Sequence, residues 1–271
     1  MSPSISQYIR LFVSFTYHQA MSCLFPVGIF ILLALSQIIS IPGLPRYDFL
    51  LIGCLIIQGL MIYFRLESRQ EILVICVFHL IGLALEIFKV HMGSWSYPEE
   101  AYTMIAGVPL YSGFMYASVA SYICQAWRRL HLSLTNWPLS FLTITLGASI
   151  YFNFFWHHFW IDVRWFLMAI LFIIFWKTKV YFTLLDKRFY MPLTLSYFLI
   201  GFFIWIAENI ATLLGAWQYP NQSNGWELVH ISKISSWFLL IIVSFIIVAQ
   251  LKHVKGHLSS SAEKHPTFVQ D

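Results

Sequence analysis

The sequence predicts an all-α polytopic membrane protein, with about eight transmembrane helices arranged as two parallel four-helix repeats. Three observations predict this fold class: the composition, the length of the apolar runs, and a motif that occurs twice. Of the 271 residues, 59% are hydrophobic and 10% are charged, whereas about 25% of the residues in a soluble globular domain are charged. The composition therefore excludes an ordinary soluble domain.

Eight apolar runs divide the chain, most of them close to the ~20 residues that a helix needs to cross ~30 Å of hydrocarbon. Asp162 and Arg164 separate the fifth run from the sixth, and Lys177 and Lys179 interrupt the end of the sixth. Because lysine side chains can reach the headgroups, we expect both runs to span the bilayer. Seven spans would break the symmetry of the repeats. The eight runs are Met21–Ile41, Tyr47–Phe64, Ile72–Lys89, Pro109–Trp127, Pro138–Trp160, Val163–Phe182, Pro192–Leu214 and Ser235–Leu251.

These runs define four segments of the chain. Residues 1–20 precede the first run and are expected to form either an interfacial helix on the cytoplasmic leaflet or an extension of the first span. Residues 21–130 and 131–252 are the two predicted membrane repeats. Residues 253–271 are a polar tail, which we expect to be disordered.

The basic residues indicate the orientation of the chain. In the eight-span arrangement, twelve Lys and Arg side chains fall on one side, and only Arg46, Arg164 and Lys233 fall on the other. Cytoplasmic loops carry such an excess, so both termini are predicted to be cytoplasmic. The same excess accounts for the net charge of +4, which therefore indicates no nucleic-acid partner.

A motif of five residue types, Glu-x6-Gly-x-Trp-x-Tyr-Pro, occurs twice at a separation of 122 positions. Matching residue types at identical offsets indicate a duplicated unit. The even number of spans between the copies makes the two repeats parallel and places both motifs at the outer face. The copies are Glu86, Gly93, Trp95, Tyr97 and Pro98, and Glu208, Gly215, Trp217, Tyr219 and Pro220.

Glu86 and Glu208 are the strongest functional candidates, because each lies inside a long apolar run. An ionised side chain at the centre of a bilayer costs ~2.5 kcal/mol or much more, so such residues usually face an interior cavity and carry function. If the repeats are related by an axis along the membrane normal, the two carboxyl groups lie at equal depth and could share one cavity. Two neighbouring buried carboxyls do not both ionise readily, so a proton donor and a proton acceptor would coexist. The alternative is a structural role, in which each glutamate only bonds across helices.

Further side chains complete the predicted site. His79 lies seven residues before Glu86 and Lys89 three residues after it, so all three share one helical face and Lys89 is a potential counter-ion. The motif aromatics are expected to border a substrate pocket, where their faces could stabilise a developing positive charge. The predicted catalytic residues are Glu86, Glu208, His79 and Lys89, and the predicted substrate-binding residues are Trp95, Tyr97, Trp217, Tyr219 and Asn209.

A second polar cluster, which contains Asn153, His157, His158, Asp162 and Arg164, lies between the fifth and sixth runs. Histidine and aspartate are metal-ligand types, but adjacent residues of a helix point about 100° apart and do not easily bind one ion. The sequence therefore favours an interfacial turn held by an Asp162–Arg164 pair over a metal site. No metal ion or other cofactor is predicted.

Two resemblances accompany these residues. From the first span, which contains Pro26, to the closing span that ends at Lys252, the chain resembles the bacterial membrane family catalogued as domain of unknown function 817. That resemblance implies a multi-pass inner-membrane protein and supplies no activity. Locally, the segments W-S-Y-P (95–98) and I-A-G-V-P (105–109) resemble the core of membrane-integral carotenoid enzymes of the lycopene-cyclase type, which are built from tandem membrane repeats with a glutamate before an aromatic pair. In those enzymes paired glutamates closely follow the proline, whereas Leu110 follows Pro109 here.

Three functions remain open from the sequence. The first is an intramembrane enzyme that uses the two glutamates as acid and base on a hydrophobic substrate, polyprenoid or lipid-like. The second is a proton- or cation-coupled carrier of small solutes, and the third is a structural membrane protein. Carriers usually contain helices interrupted at matching positions, and Gly82 and Gly201 lie at different offsets, which slightly favours the enzyme. The predicted partners are membrane lipid and a hydrophobic small molecule.

Overall fold

The computed structural model describes residues 5–263, with side chains described up to residue 249. Most of the described residues are helical. The helices are α1 (Ile5–Ser22), α2 (Leu24–Leu35), α3 (Arg46–Tyr63), α4 (Arg69–His91), α5 (Ser112–Arg129), α6 (Ser140–Trp156), α7 (Arg164–Phe175), α8 (Leu193–Leu213) and α9 (Lys233–Glu263). The strands are β1 (Met104–Ile105), β2 (Val108–Pro109), β3 (Ser133–Thr135), β4 (Lys179–Leu184) and β5 (Lys187–Pro192), and a 3₁₀ turn covers Pro220–Gln222.

Each of the eight apolar runs contains one helix, α2 to α9 in order. Among the described residues, α3, α4 and α8 are long and apolar enough to cross a membrane individually. A fourth such element is formed by α1 and α2 together, with a bend of 65° at their junction. The helices α6 and α7 and the first part of α9 are apolar but shorter. The chain is therefore a mostly helical protein with three to four candidate spans.

The sixth run differs from its prediction as a single helix. The helix α7 ends at Phe175, and the chain then forms the antiparallel pair β4–β5, to which β3 adds along the other edge of β4. Leu185 and Asp186 connect β4 to β5 with φ angles of 47° and 61°, as expected for a two-residue hairpin turn. The four residues between Lys179 and Leu184 are β-branched or aromatic (Val, Tyr, Phe and Thr). Such residues favour a pleated strand, so the end of this run forms a strand instead of continuing the helix.

The two ends of the chain extend the helical region. The helix α1 packs on α5 and β4, where the Phe15 and Phe182 rings lie 5.8 Å apart. At the other end, α9 continues as a helix to Glu263. The tail expected to be disordered therefore overlaps α9 as far as Glu263, and residues 264–271 lie outside the described part of the chain.

Two large hydrophobic clusters form most of the core, and a smaller third cluster surrounds Ala126, Leu130 and Leu184. One joins α2, α3, α4 and α5 around Phe25, Tyr47 and Phe114, and the other joins α5 to α9 around Tyr197 and Phe238. Close helix packing stabilises both clusters, as the α4–α5 and α8–α9 pairs illustrate. The fold thereby holds α4 and α8, which carry the two motif glutamates, firmly against their following helices.

The outer surface carries many large apolar side chains. Phe141 is 75% exposed and Ile173 is 76% exposed, and exposed aromatic side chains follow the whole length of α6 and α7, among them Trp165. Monomeric soluble proteins rarely expose contiguous apolar patches of this kind. Together with the apolar helices, this surface identifies a membrane protein.

Candidate functional site

Both copies of the motif end their helices in the same way. Gly93 follows α4 with a φ of 68°, and Gly215 follows α8 with a φ of 65°. After each glycine the next amide bonds back to the carbonyl five residues earlier, Ser94 to Lys89 and Ala216 to Ala211, both at 2.9 Å. This is the geometry of a Schellman C-cap, which favours glycine because the left-handed conformation strains other residues. The chain then turns back toward the helix, which brings the motif aromatics over the glutamate.

Glu86 is enclosed by three aromatic hydrogen-bond donors. Its Oε2 atom accepts from Trp95 Nε1 at 2.6 Å and from the Tyr97 hydroxyl at 2.8 Å. Its Oε1 atom accepts from the Tyr116 hydroxyl of α5 at 2.7 Å. The side chain is 3% exposed. Neutral donors, rather than a cation, therefore compensate the burial of this carboxyl group.

Glu208 has a similar but smaller set of donors. Its Oε1 atom accepts from the Tyr219 hydroxyl at 2.5 Å, and its Oε2 atom accepts from Trp237 Nε1 of α9 at 2.6 Å. The residue is 2% exposed. In both copies a tyrosine eleven residues after the glutamate and an aromatic residue of the next helix are donors. The indole donor differs: Trp95 of the motif serves Glu86, whereas Trp237 serves Glu208.

The two carboxylate sites are joined directly. Ser96 and Gln218 form a short antiparallel bridge between the motif loops. Across this bridge the Trp95 and Tyr219 rings lie 6.0 Å apart, edge to face. Lys233 Nζ, at the start of α9, lies 4.6 Å from the Tyr219 ring centroid and 5.8 Å from that of Trp95, within the range of a cation–π interaction. The aromatic donor of one glutamate thus contacts the aromatic donor of the other.

Two of the predicted catalytic residues do not join Glu86. Lys89 Nζ lies 2.8 Å from His158 Nε2 and 3.4 Å from His157 Nε2, and no ion pair connects it to Glu86 among the described side chains. His79 packs at 4.6 Å against the Phe114 ring of α5. The helical spacing placed these residues on one face as expected, but the loop after α6 and the helix α5 provide their contacts. Lys89 is therefore not a directly bonded counter-ion of Glu86, and the catalytic roles of His79 and Lys89 stay predictions.

The predicted substrate-binding residues also divide. Trp95, Tyr97 and Tyr219 bond to the carboxylates as described. Asn209 instead connects two backbone segments, because its Nδ2 donates to Trp205 O and its Oδ1 accepts from Val229 N, both at 2.8 Å. Trp217 is buried beside Tyr219, whose hydroxyl it approaches. Asn209 and Trp217 therefore lie near the second carboxylate site but are not among the hydrogen-bond donors to Glu208.

The histidine cluster contains the predicted Asp162–Arg164 ion pair. Arg164 Nε lies 2.7 Å from Asp162 Oδ2. Burial raises the pKa of Asp162, but hydrogen bonds from Asn153 and the Arg164 amide, with the Arg164 charge, outweigh it, so the net pKa is lowered. Burial, followed by the charge of Lys89, lowers the pKa of His158 to about 4. Within the described residues no group of three or more His, Cys, Asp or Glu side chains could hold a metal ion.

Sequence reasoning missed Tyr116, Trp237 and Arg46. Tyr116 follows Glu86 by 30 positions and Trp237 follows Glu208 by 29, so the two donors do not align at the offset of the motif. Arg46 lies directly before the second apolar run, yet its guanidinium donates to the carbonyl groups of Leu214 and Gly215, just after α8. No local pattern marks these three residues, because each contact joins distant parts of the chain.

A small cavity lies behind the first carboxylate site. It has a volume of about 20 Å³ and is enclosed by α4, α5, α6 and α9. The lining is mostly aliphatic and includes the aromatic residues Phe78, Tyr116 and Tyr151. Tyr116 therefore borders the cavity with its ring while its hydroxyl bonds to Glu86. Glu86 itself does not line the cavity.

Comparison with known proteins gives a family and a close relative. The family described as protein of unknown function (DUF817) matches residues 11–245, in agreement with the first resemblance above. "Uncharacterized protein YoaT" of Bacillus subtilis (strain 168) is 60% identical over 260 residues, which cover 96% of this chain and 98% of that protein. The resemblance to carotenoid enzymes has no counterpart among these matches.

Comparison with solved structures found two similar chains. The mycobacterial Insig homolog MvINS from Mycobacterium vanbaalenii is 11% identical, with a TM-score of 0.47 over 66% of this chain and 92% of that chain. A cross-linked trimer of a MvINS variant is 12% identical, with the same TM-score and coverage. A TM-score at this level is too low to transfer function.

Proposed function

Because the chain belongs to the DUF817 family of membrane proteins and carries a linked pair of buried glutamates, we propose that it is an intramembrane acid/base enzyme. Its substrate is hydrophobic, polyprenoid or lipid-like. Glu86 and Glu208 hold the protons of the reaction, and Tyr97, Tyr219, Trp95 and Trp237 position their carboxyl groups. Membrane lipid surrounds the protein and is its proposed partner.

The position of Tyr116 carries this proposal. Its hydroxyl bonds to Glu86 Oε1 at 2.7 Å, and the same residue borders the apolar cavity between α4 and α9. A general acid or base must lie within hydrogen-bond reach of the group to which it passes a proton. The Glu86–Tyr116 pair meets this requirement at the edge of a space suited to a hydrocarbon group.

Proton transfer then follows from the geometry. Tyr116 releases its proton to the substrate while a protonated Glu86 replaces it, or the pair works in reverse as a base. Trp95 and Tyr97 keep the carboxyl group oriented throughout, since both donate to Oε2. The cavity of about 20 Å³ holds about one small group. The proposed reaction therefore requires the surrounding helices to part so that the substrate can enter.

The same proposal includes eight spans, α2 to α9, in two parallel repeats with both termini cytoplasmic. The order of the helices supports it, because α2, α3, α4 and α5 correspond to α6, α7, α8 and α9 at about the motif offset. Packing also supports it: α2–α3, α4–α5 and α2–α5 contacts have counterparts in α6–α7, α8–α9 and α6–α9. Glu86 and Glu208 then lie at one depth near the outer face.

A structural function is the second candidate, and the completeness of the Glu86 contacts favours it. Three donors from the protein occupy both oxygen atoms of the carboxyl group, and buried hydrogen-bonded groups can serve to specify one packing arrangement. Under this alternative, loss of Glu86 lowers the amount of folded protein and changes no lipid.

Comparative lipid and isoprenoid profiling tests the enzyme. Cells that lack the protein are complemented with the wild type, Tyr116→Phe or Tyr151→Phe, at matched amounts of folded protein in the membrane. Tyr151 borders the same cavity and bonds to neither glutamate, so it is the matched control. We expect Tyr116→Phe to reproduce the profile of the deletion and Tyr151→Phe that of the wild type. A wild-type profile for folded Tyr116→Phe would refute acid/base catalysis at this site.

A further inference from the structure

Lys89 lies in an unusual contact set at the end of α4. It is 6% exposed, and its Nζ atom lies 2.8 Å from His158 Nε2 and 3.4 Å from His157 Nε2. Ser94 Oγ lies 3.5 Å from the same His158 nitrogen. Among the described side chains no carboxylate lies within ion-pair distance of Lys89. A buried lysine is ordinarily paired with an acid, so this arrangement calls for a different explanation.

The tautomers of the two histidines follow from their contacts. His157 Nδ1 lies 2.8 Å from the Asn153 carbonyl oxygen, which only accepts, so Nδ1 carries the hydrogen and Nε2 presents a lone pair to Lys89. His158 Nε2 lies within hydrogen-bond distance of the Lys89 amine and likewise accepts from it. The pKa of His158, lowered to about 4 by burial and by the Lys89 charge, keeps its imidazole neutral near pH 7. Two neutral imidazoles thus converge on one amine.

This arrangement matches the requirements of an activated nucleophile. Such a group needs a base within about 2.6 to 3.2 Å, and a lysine is activated by removal from water and by neighbouring cations. His158 supplies the base. Burial, the largest effect, removes the amine from water, and the positive charges of Lys233 and Arg164 favour its neutral form, whereas the negative charges of Asp162 and Glu86 act against it. The base and the removal from water are both supplied without a direct contact to Glu86 or Tyr116.

We propose that Lys89 is a nucleophilic amine that forms an imine with a carbonyl compound, with His158 as its proton acceptor. His158 first takes one proton from the Lys89 ammonium. A bond then forms between Nζ and the carbonyl carbon, and the carbon–oxygen bond breaks. The two hydrogens of the neutral amine and the carbonyl oxygen leave as one water molecule, the proton held by His158 returns to the imine nitrogen, and no electrons are transferred. The site goes beyond the proposed acid/base reaction, because it has its own nucleophile and its own base.

The surroundings of the amine indicate an apolar carbonyl compound. Phe88 packs on His158 with ring centroids 5.6 Å apart. Directly after His158 the chain exposes Phe159, Trp160 and Ile161, so the protein surface next to this contact set is apolar. A long-chain aldehyde or ketone fits this surface better than a small hydrophilic one.

Reductive trapping tests the proposal on the whole protein in lipid nanodiscs. The protein is incubated near neutral pH with hexadecanal and cyanoborohydride, which converts an imine to a stable secondary amine, and alkylated lysines are mapped by peptide mass spectrometry. We expect Lys89 to react about a hundredfold faster than Lys177 and Lys179, the lower end of the effect of a positioned base. Acetaldehyde at equal concentration should label Lys89 much more slowly. Labelling of Lys89 no faster than Lys177 overturns the proposal, and equal labelling by the two aldehydes overturns its apolar specificity.

Two variants separate the base from simple accessibility. His158→Asn keeps a polar side chain beside Lys89 but removes the proton acceptor, so the trapping rate should fall about a hundredfold, the effect of one general base. His131→Asn, at an exposed position, is the matched control and should trap at the wild-type rate. An unchanged rate in folded His158→Asn would show that His158 is not the base. The trapping experiment measures alkylation of lysines in the purified protein and does not depend on turnover of lipid. A negative trapping result therefore says nothing against the acid/base reaction, which lipid profiling tests.

Discussion

The backbones of Ser96 and Gln218 bond to each other in both directions, each amide donating to the other carbonyl at 2.9 Å. This reciprocal pair ties the two motif loops together at their centres. Each residue directly precedes the motif tyrosine, Tyr97 or Tyr219, so the bridge also fixes where both hydroxyl groups point. The two glutamates are consequently held by one connected unit, and changes at one are expected to reach the other.

The motif tyrosines should differ in their contribution to stability. Tyr219→Phe removes one of two donors to Glu208, whereas Tyr97→Phe removes one of three donors to Glu86. An unsatisfied buried polar group costs about 1 to 3 kcal/mol. We therefore expect the loss in the free energy of unfolding to lie near the upper end of this range for Tyr219→Phe and near the lower end for Tyr97→Phe. Unfolding in detergent, with exposed Tyr102→Phe as control, measures the difference. Equal losses for the two motif variants would contradict the donor count.

Arg46 should control the opening of the loop after α8. Its guanidinium bonds to Leu214 O and Gly215 O, and its Nη1 lies 2.6 Å from Glu99 Oε1. Arg46→Ala leaves the carbonyl groups at the end of α8 without this donor, so the amides of Ala216 and Gln218 should exchange hydrogen faster. Glu99→Gln should have little effect, because the Glu99 side chain is 42% exposed and exposed ion pairs contribute about 0 to 1 kcal/mol. Hydrogen exchange with mass spectrometry compares the variants.

Gly82 should be required for the position of Tyr116. A Cβ atom at Gly82 would overlap the Tyr116 ring, so Gly82→Ala should displace the hydroxyl from Glu86 and reproduce the lipid profile of Tyr116→Phe. Gly59→Ala is the matched control, since nothing lies within 4 Å of a Cβ there, and alanine favours a helix by up to about 1 kcal/mol over glycine. A stable Gly82→Ala protein with a wild-type profile would contradict the role of Tyr116.

Glu67, in the turn between α3 and α4, should make stability depend on pH. Burial raises its pKa above the ordinary 4.5, although Ser121 and Gln58 donate to it. A group whose folded pKa is raised contributes stability below its unfolded pKa and loses it as the pH rises through the folded value. Glu67→Gln resembles the protonated acid and keeps its charge state at every pH. The melting temperature of this variant should therefore exceed that of the wild type, and the difference should grow as the pH rises above about 4.5. Glu100→Gln, on an exposed loop residue, should show no such trend in the same pH series.

The sequence by itself determined the class of the protein and the approximate place of eight helices, and it singled out two glutamates that the structure buries. These features depend on local chemistry: the length of an apolar run decides whether a helix can cross the bilayer, and Gly93 and Gly215 end their helices through their own backbone freedom. The tyrosine of each motif follows its glutamate by eleven residues. This fixed spacing is a local signal from which a contact between the tyrosine and the carboxyl group could have been predicted.

Only the tertiary structure decided the partners of those side chains. Tyr116 reaches Glu86 because Gly82 lets α5 approach α4 closely, and His158 reaches Lys89 across 69 positions of sequence. The rotation of each helix about its own axis selects which side chain meets which neighbour, and packing between helices sets that rotation. A pattern along one helix specifies the face on which Lys89 lies, but it contains no information about the histidine brought opposite that face.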